Sequence, residues 1–218
     1  MNKVIGINQR ISVTLIEASL RAVFNGTYNK EFARMLAEGE FQGENRLKKA
    51  VNELGKVVER NALLPFLLEH KQQVTEAMQN VGDKAIIIAA LYNTAFRFSY
   101  EEVTILGKYL HVQDRVPRSL LEERVSEIYG FNKSISNAID YSMPTLIEAG
   151  FINRPEAGVY EKPSLSIKTE ISLAIYKESF YLNNPLLDRG QEWREEGLRL
   201  LHGLATNLAT SLQTPQEA

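Results

Sequence analysis

The stretch "TLIEAGFINRPEAGVYEKPSL" (residues 145–165) begins as the end of a helix and finishes as a short β-hairpin. Its apolar start runs into Ala149-Gly150, and a glycine there supplies the left-handed residue that commonly follows a helix C-terminus. Residues 151–154 and 159–162 then read as two strands. Pro155-Glu156-Ala157-Gly158 forms the turn between them, with Pro at the second turn position and Gly at the tight return. Pro163 removes a backbone donor and closes the second strand.

The residues before the hairpin explain why a chain that reads as helical elsewhere makes one. Residues 120–129 (LLEERVSEIY) predict a short amphipathic helix with Leu121, Val125 and Ile128 on one side. Gly130-Phe131-Asn132-Lys133 is a tight connection, and Ser134 caps a second helix. In that helix Ile135, Ala138, Ile139, Ser142, Met143 and Leu146 face inward. Ser136, Asn137, Asp140 and Tyr141 lean outward. Helix, short Gly-containing turn and helix make a helix-turn-helix; the hairpin that follows makes it a winged helix. Pro144 deletes the amide that would bond back to Asp140, at about 3 kcal/mol in a helix interior. The second helix is therefore expected either to kink or to divide into residues 134–141 and 144–149, with Ser142 capping the latter.

Outward from this unit the chain reads as helices. Ser12 or Thr14 caps the first, which Asn25-Gly26 stops, and residues 29–37 form a second. Residues 46–61 (RLKKAVNELGKVVERN) place Leu47, Ala50, Val51, Leu54, Val57 and Val58 on one face. Arg46, Lys49, Glu53, Lys56 and Arg60 share another, which is either a solvated face or a phosphate-contacting stripe. Pro65 starts a helix through residue 77. Asp83 caps a helix over 84–96 that is apolar all round and belongs in the middle of a bundle. Ser99 and Glu102 form a capping box for the next. After the hairpin come a helix over 169–181 and a long one over 188–212 carrying Trp193. The leucine stripe of the long helix packs back on the winged helix or forms a homodimer seam. The expected fold is mainly α. A helical bundle (1–115) precedes a winged helix-turn-helix with one short β-hairpin (116–168), and C-terminal helices (169–218) pack on it.

Chemistry is thin. There is no cysteine, and the three histidines, His70, His111 and His202, are far apart. No metal-ligand spacing, Gly-rich phosphate loop or nucleophile elbow occurs. The glutamate pairs at 101–102, 122–123 and 195–196 point in different directions on helices. The expectation is no enzyme, no metal and no cofactor. Residues 1–9 lack the apolar core of a signal peptide, and the most apolar run, residues 85–92, is far short of the ~20 residues of a span. A cytoplasmic protein without membrane contact is expected. Net charge is −2, which counts against nucleic acid unless charge is local. Between residues 131 and 168, Lys133, Arg154, Lys162 and Lys168 are cancelled by Asp140, Glu148, Glu156 and Glu161. Any DNA affinity then depends on the charged helix, and on Arg115, Arg118 and Arg124, converging with the second helix and the hairpin.

The segment "NKSISNAIDYSMPTLIEAGFI" (residues 132–152), set after a charged helix and an alanine/isoleucine helix, resembles the small BrxA-type subunit of bacterial BREX (bacteriophage exclusion) defence systems. The likeness covers residues 18–182. It implies a non-enzymatic, all-helical accessory protein with a wing, which binds double-stranded DNA beside other subunits of a defence complex. Helix-turn-helix proteins read the groove with the N-terminal residues of the second helix, here Ser134, Ser136, Asn137 and Tyr141. Lys133, Arg154 and Lys162 would hold phosphates from turn and wing, and Arg46, Lys49, Lys56 and Arg60 would add more. A winged-helix adaptor that docks on protein, and a dimeric sequence-specific regulator, are the alternatives.

Overall fold

The computed structural model describes residues 4–131 and 133–189. Among them, ten helices accompany a three-stranded antiparallel sheet in the order β1-β3-β2. The N-terminal helices are α1 (Val13–Phe24), α2 (Lys30–Glu38), α3 (Glu44–Val57), α4 (Leu64–Glu69), α5 (Lys71–Ala77), α6 (Val81–Ala95) and α7 (Arg97–Leu110). Then follow β1 (Arg115–Pro117), α8 (Arg118–Tyr129), α9 (Ser134–Glu148), β2 (Asn153–Glu156), β3 (Val159–Glu161) and α10 (Glu170–Asn183). Among the described residues no helix is long and apolar enough to cross a membrane.

Ser12, not Thr14, starts α1, its hydroxyl accepting from Leu15 N at 3.2 Å. Asn29 starts α2 in the same way. The expected helix through residues 65–77 is two, α4 and α5, because His70 leaves helical geometry at φ −108°, ψ 25°. α6 is the centre of the molecule, with every side chain from Ala85 to Tyr92 fully buried. The main apolar cluster runs from Ile7 to Tyr176 and takes residues from the helical, hairpin and C-terminal parts alike.

Three expected caps, Asp83, Ser99 and Ser134, lie inside their helices instead, the last because Lys133 holds the cap position of α9. α6 starts at Val81, so the buried Asp83 sits in its first turn, and its carboxylate reaches across to the start of α10. It accepts from Lys168 N and Thr169 N, both at 3.1 Å, and from Thr169 Oγ1 at 3.0 Å. Unpaired amides at a helix start favour such an anion. The residue beside it, Gly82, allows this approach: a Cβ there would lie 2.1 Å from Ser166 O. α7 likewise starts at Arg97, which puts Ser99 and Glu102 inside it. The Ser99 hydroxyl donates to Asn93 Oδ1 at 2.8 Å, and Glu102 is fully buried.

α10 lies along α6. Ser179 Oγ donates to Ala90 O at 3.0 Å, and Asn183 Nδ2 donates to Asn93 O at 3.3 Å. It also meets the residues before the hairpin through the Tyr176–Phe151 ring pair, with centroids 6.0 Å apart. This first C-terminal helix thus packs chiefly on the central helix, a correction to the expectation that it covers the helix-turn-helix unit. From residue 190 the expected helix over 188–212, with Trp193 and its leucines, lies outside the described residues.

α9 ends as its sequence predicts. Gly150 has φ +79°, Phe151 N donates to Leu146 O and Gly150 N to Ile147 O, both at 2.9 Å, the paired bonds of a Schellman stop. Pro144 neither breaks nor ends the helix, which is continuous from Ser134 to Glu148. Ser142 therefore caps nothing, and its hydroxyl donates to Ala138 O. The hairpin forms, with a tighter turn than expected: Glu156 pairs with Val159 across Ala157-Gly158 alone, and Gly158 has φ +77°. Pro155 lies in β2, an edge strand where a missing amide is tolerated. β1 was not expected. It pairs with β3, with Val116 opposite Tyr160 and both buried.

Candidate nucleic-acid interface

The N-terminal half of α9 projects Lys133, Ser134 and Asn137 into solvent, with Ser136 and Tyr141 half-buried beside them. On one flank a cavity of about 440 Å³ is lined by Ser134, Asn137 and Tyr141 together with Lys49 of α3. The charged helix and the second helix of the pair therefore meet on one face. Arg46, also exposed, stands one turn before Lys49 on α3.

The floor of this cavity is the segment that leads into α1. It is anchored to the C-terminal end of α9 and to the C-terminal end of α3. Thr145 Oγ1 donates to Ile11 O at 2.7 Å, and Glu148 pairs with Arg10 at 2.9 Å while accepting from Val13 N at 3.0 Å. Towards the other end, Lys56 Nζ donates to Gly6 O at 2.9 Å and to both oxygens of Glu53 at 3.1 Å. Glu53 is buried, and that burial pushes its carboxyl above the usual range against the pull of Lys56. Lys56 is thus a structural cation. Glu53 belongs to the interior and not to a solvated stripe.

Arg60 is also turned away. Its guanidinium folds over Gly55 and donates to Asn52 O at 2.9 Å and Asn52 Oδ1 at 3.1 Å, in a separate groove between α2 and α3. Of the four basic residues expected on α3 and its end, Lys49 lines the α9 face, Arg46 is exposed next to it, and Lys56 and Arg60 are engaged elsewhere.

The other three arginines serve the fold. Arg118 donates to Asp140 at 2.5 Å and to both O and Oγ of Ser136 at 3.1 Å, tying the start of α8 to α9. Ser136 is therefore committed to an internal contact. Arg115 bonds Glu161 at 2.6 Å across β1 and β3, and Arg124 bonds Glu127 at 2.6 Å and Tyr109 at 2.8 Å. By contrast, Lys133 and Arg154 are exposed, Lys162 is half-buried beyond β3, and none of them has an ion pair among the described residues. These three flank the α9 N-terminus and the hairpin. Their positions were legible from sequence; the pairing of Arg115 and Arg118 depends on carboxylates distant in the chain and was not, whereas Arg124 pairs locally with Glu127.

Glu102 lies beneath this surface. Burial pushes its carboxyl well above the usual range, against the pull of the Arg118 charge. Among the described residues neither oxygen has a hydrogen-bond partner. Among the described residues no group of three or more His, Asp or Glu is placed to hold a metal ion. No protein-family model matches the chain, and neither a curated protein nor a solved structure shows significant similarity to it.

Proposed function

We propose that α7, β1, α8, α9, β2 and β3 form a winged helix, and that the protein is a non-catalytic, weak and largely sequence-independent binder of duplex DNA. The order helix, strand, helix, helix, hairpin supports the winged-helix assignment, as does a sheet in which the short first strand pairs with the last. The observation that carries the DNA reading is the shared cavity of Lys49 with Ser134, Asn137 and Tyr141. It places a cation of α3 beside the residues that face a groove in helix-turn-helix proteins. Phosphate contacts position such a protein on DNA and supply most non-specific affinity. Arg46, Lys49, Lys133, Arg154 and Lys162 are the set for that role, and Asn137 and Tyr141 face the groove. The resemblance to BrxA-type subunits supports a place in a BREX-type phage-defence complex in the cytoplasm.

Fluorescence anisotropy with a short duplex tests this. Five phosphate contacts give a slope of log K against log salt of about −4 to −5, and affinity at physiological salt is micromolar or weaker. Reversing Lys133 and Arg154 together (K133E/R154E) lowers affinity on every sequence and flattens the slope by about 2. Unchanged affinity in the double variant overturns the proposal.

A protein-docking adaptor is the second reading. It is favoured by Phe131, 87% exposed at the α8–α9 turn, and by the internal pairing of Arg115, Arg118 and Arg124. A stoichiometric protein partner that survives nuclease treatment and is lost in F131A distinguishes it.

A further inference from the structure

We propose that the groove between α2 and α3 is a binding site for a small phosphate monoester of nucleotide size, distinct from the duplex surface on α9. The groove encloses about 420 Å³, within the ~300–1,000 Å³ range of small-molecule sites. Lys30, Arg34, Lys48 and Arg60 line it against one carboxylate, Glu59. Such a concentration of cations is notable in a chain of net charge −2.

The cations differ in readiness. Arg34 is held as a rigid fork by Glu44 at 2.7 and 3.0 Å and by Glu38 at 3.0 Å, so it contributes position more than free charge. Lys48 stands 3.8 Å from the same Glu44. Lys30 has no ion pair among the described residues. Arg60 uses one terminal nitrogen on Asn52, and among the described residues Nε and the other terminal nitrogen have no hydrogen-bond partner. A phosphate dianion seated between Lys30 and Arg60 would take up these donors.

Gly55 points the same way. Gly55 is in the last turn of α3, where a helical glycine is less favourable than alanine. Here the Arg60 guanidinium lies 3.0 Å from where a Cβ would be. The glycine lets Arg60 lie flat along α3 with its fork directed into the groove. Half-buried Tyr28 lines the same groove, and an aromatic ring there can stack on a nucleobase, an interaction worth ~1–3 kcal/mol. A duplex presents phosphates on a convex wall and cannot fill a groove of this shape. A small phosphorylated ligand can.

Isothermal titration calorimetry at low salt, with AMP as the probe, decides the matter. AMP is expected to bind saturably, inorganic phosphate to compete, and adenosine to give no heat. K30A and R60A each weaken AMP about tenfold, the loss of one charge-assisted hydrogen bond. G55A weakens it too, with no charge removed. Absence of saturable AMP binding, adenosine binding as tightly as AMP, or affinity unchanged in K30A and R60A each overturns the proposal. A short duplex should keep its affinity in both variants; a duplex that weakens in step with AMP assigns the groove to the DNA backbone and refutes the small ligand.

Discussion

Lys49 and Lys56 stand two turns apart on α3 and have opposite fates. Lys49 lines the face shared with α9, whereas Lys56 holds the buried Glu53 and the carbonyl of Gly6. Removing Lys56 leaves a buried carboxylate unpaired, which costs several kcal/mol in fully buried pairs; with Lys56 partly exposed, K56M should lower unfolding free energy by about 2 kcal/mol. K49M should leave stability within about 0.5 kcal/mol, as exposed substitutions generally do. Chemical denaturation of the two variants measures the contrast. Nothing in the spacing of residues 46–61 distinguishes these lysines, because the carbonyl that Lys56 binds belongs to Gly6, fifty residues earlier. Glu102 was likewise read as a surface cap and is interior. Its folded carboxyl titrates above its unfolded value, so the folded state holds the extra proton. The stability this gives is complete below the ordinary carboxylate range and declines as pH rises through the folded value. E102Q, which cannot ionise, should flatten that decline: its melting temperature exceeds the parent's at pH 8, and the gap closes towards pH 4. An equal gap at both pH values would contradict the assignment.

Among the elements, the hairpin and the stop before it were legible because both are local. Gly150 and Gly158 carry the positive φ that the stop and the turn need, and each lies within a few residues of its partners. β1 was not legible, since Arg115-Val116-Pro117 has no alternating pattern and becomes a strand only by pairing with Val159–Glu161. The capping of α10 by Asp83 was hidden for the same reason, its partners being eighty-five residues away. That junction makes a sharp prediction. In isolation G82A would gain about 1 kcal/mol of helix propensity. Here the new methyl meets the backbone of Ser166 at 2.1 Å, and overpacking of this kind costs about 1–3 kcal/mol or more. Thermal unfolding of G82A should therefore show net destabilisation. A stabilised variant would mean that the segment before α10 does not pass over α6 as described.

On the scale of the whole molecule, the sequence predicts a face on α9 but overstates the charge that could reach it. Composition could not show that Arg115, Arg118 and Arg124 bind carboxylates within the fold, or that Arg60 turns into the α2–α3 groove. What remains on the α9 side is a modest set of cations around a helix N-terminus and an exposed hairpin. This suits weak, salt-sensitive contact with a phosphate backbone rather than tight readout of bases. Amide hydrogen exchange with and without a short duplex at low salt tests the claim most directly. The account predicts new protection at residues 133–141 and 154–162 and at the start of α3, with α4 and α5 unchanged. Protection confined to other surfaces, or none at saturating duplex, would contradict it.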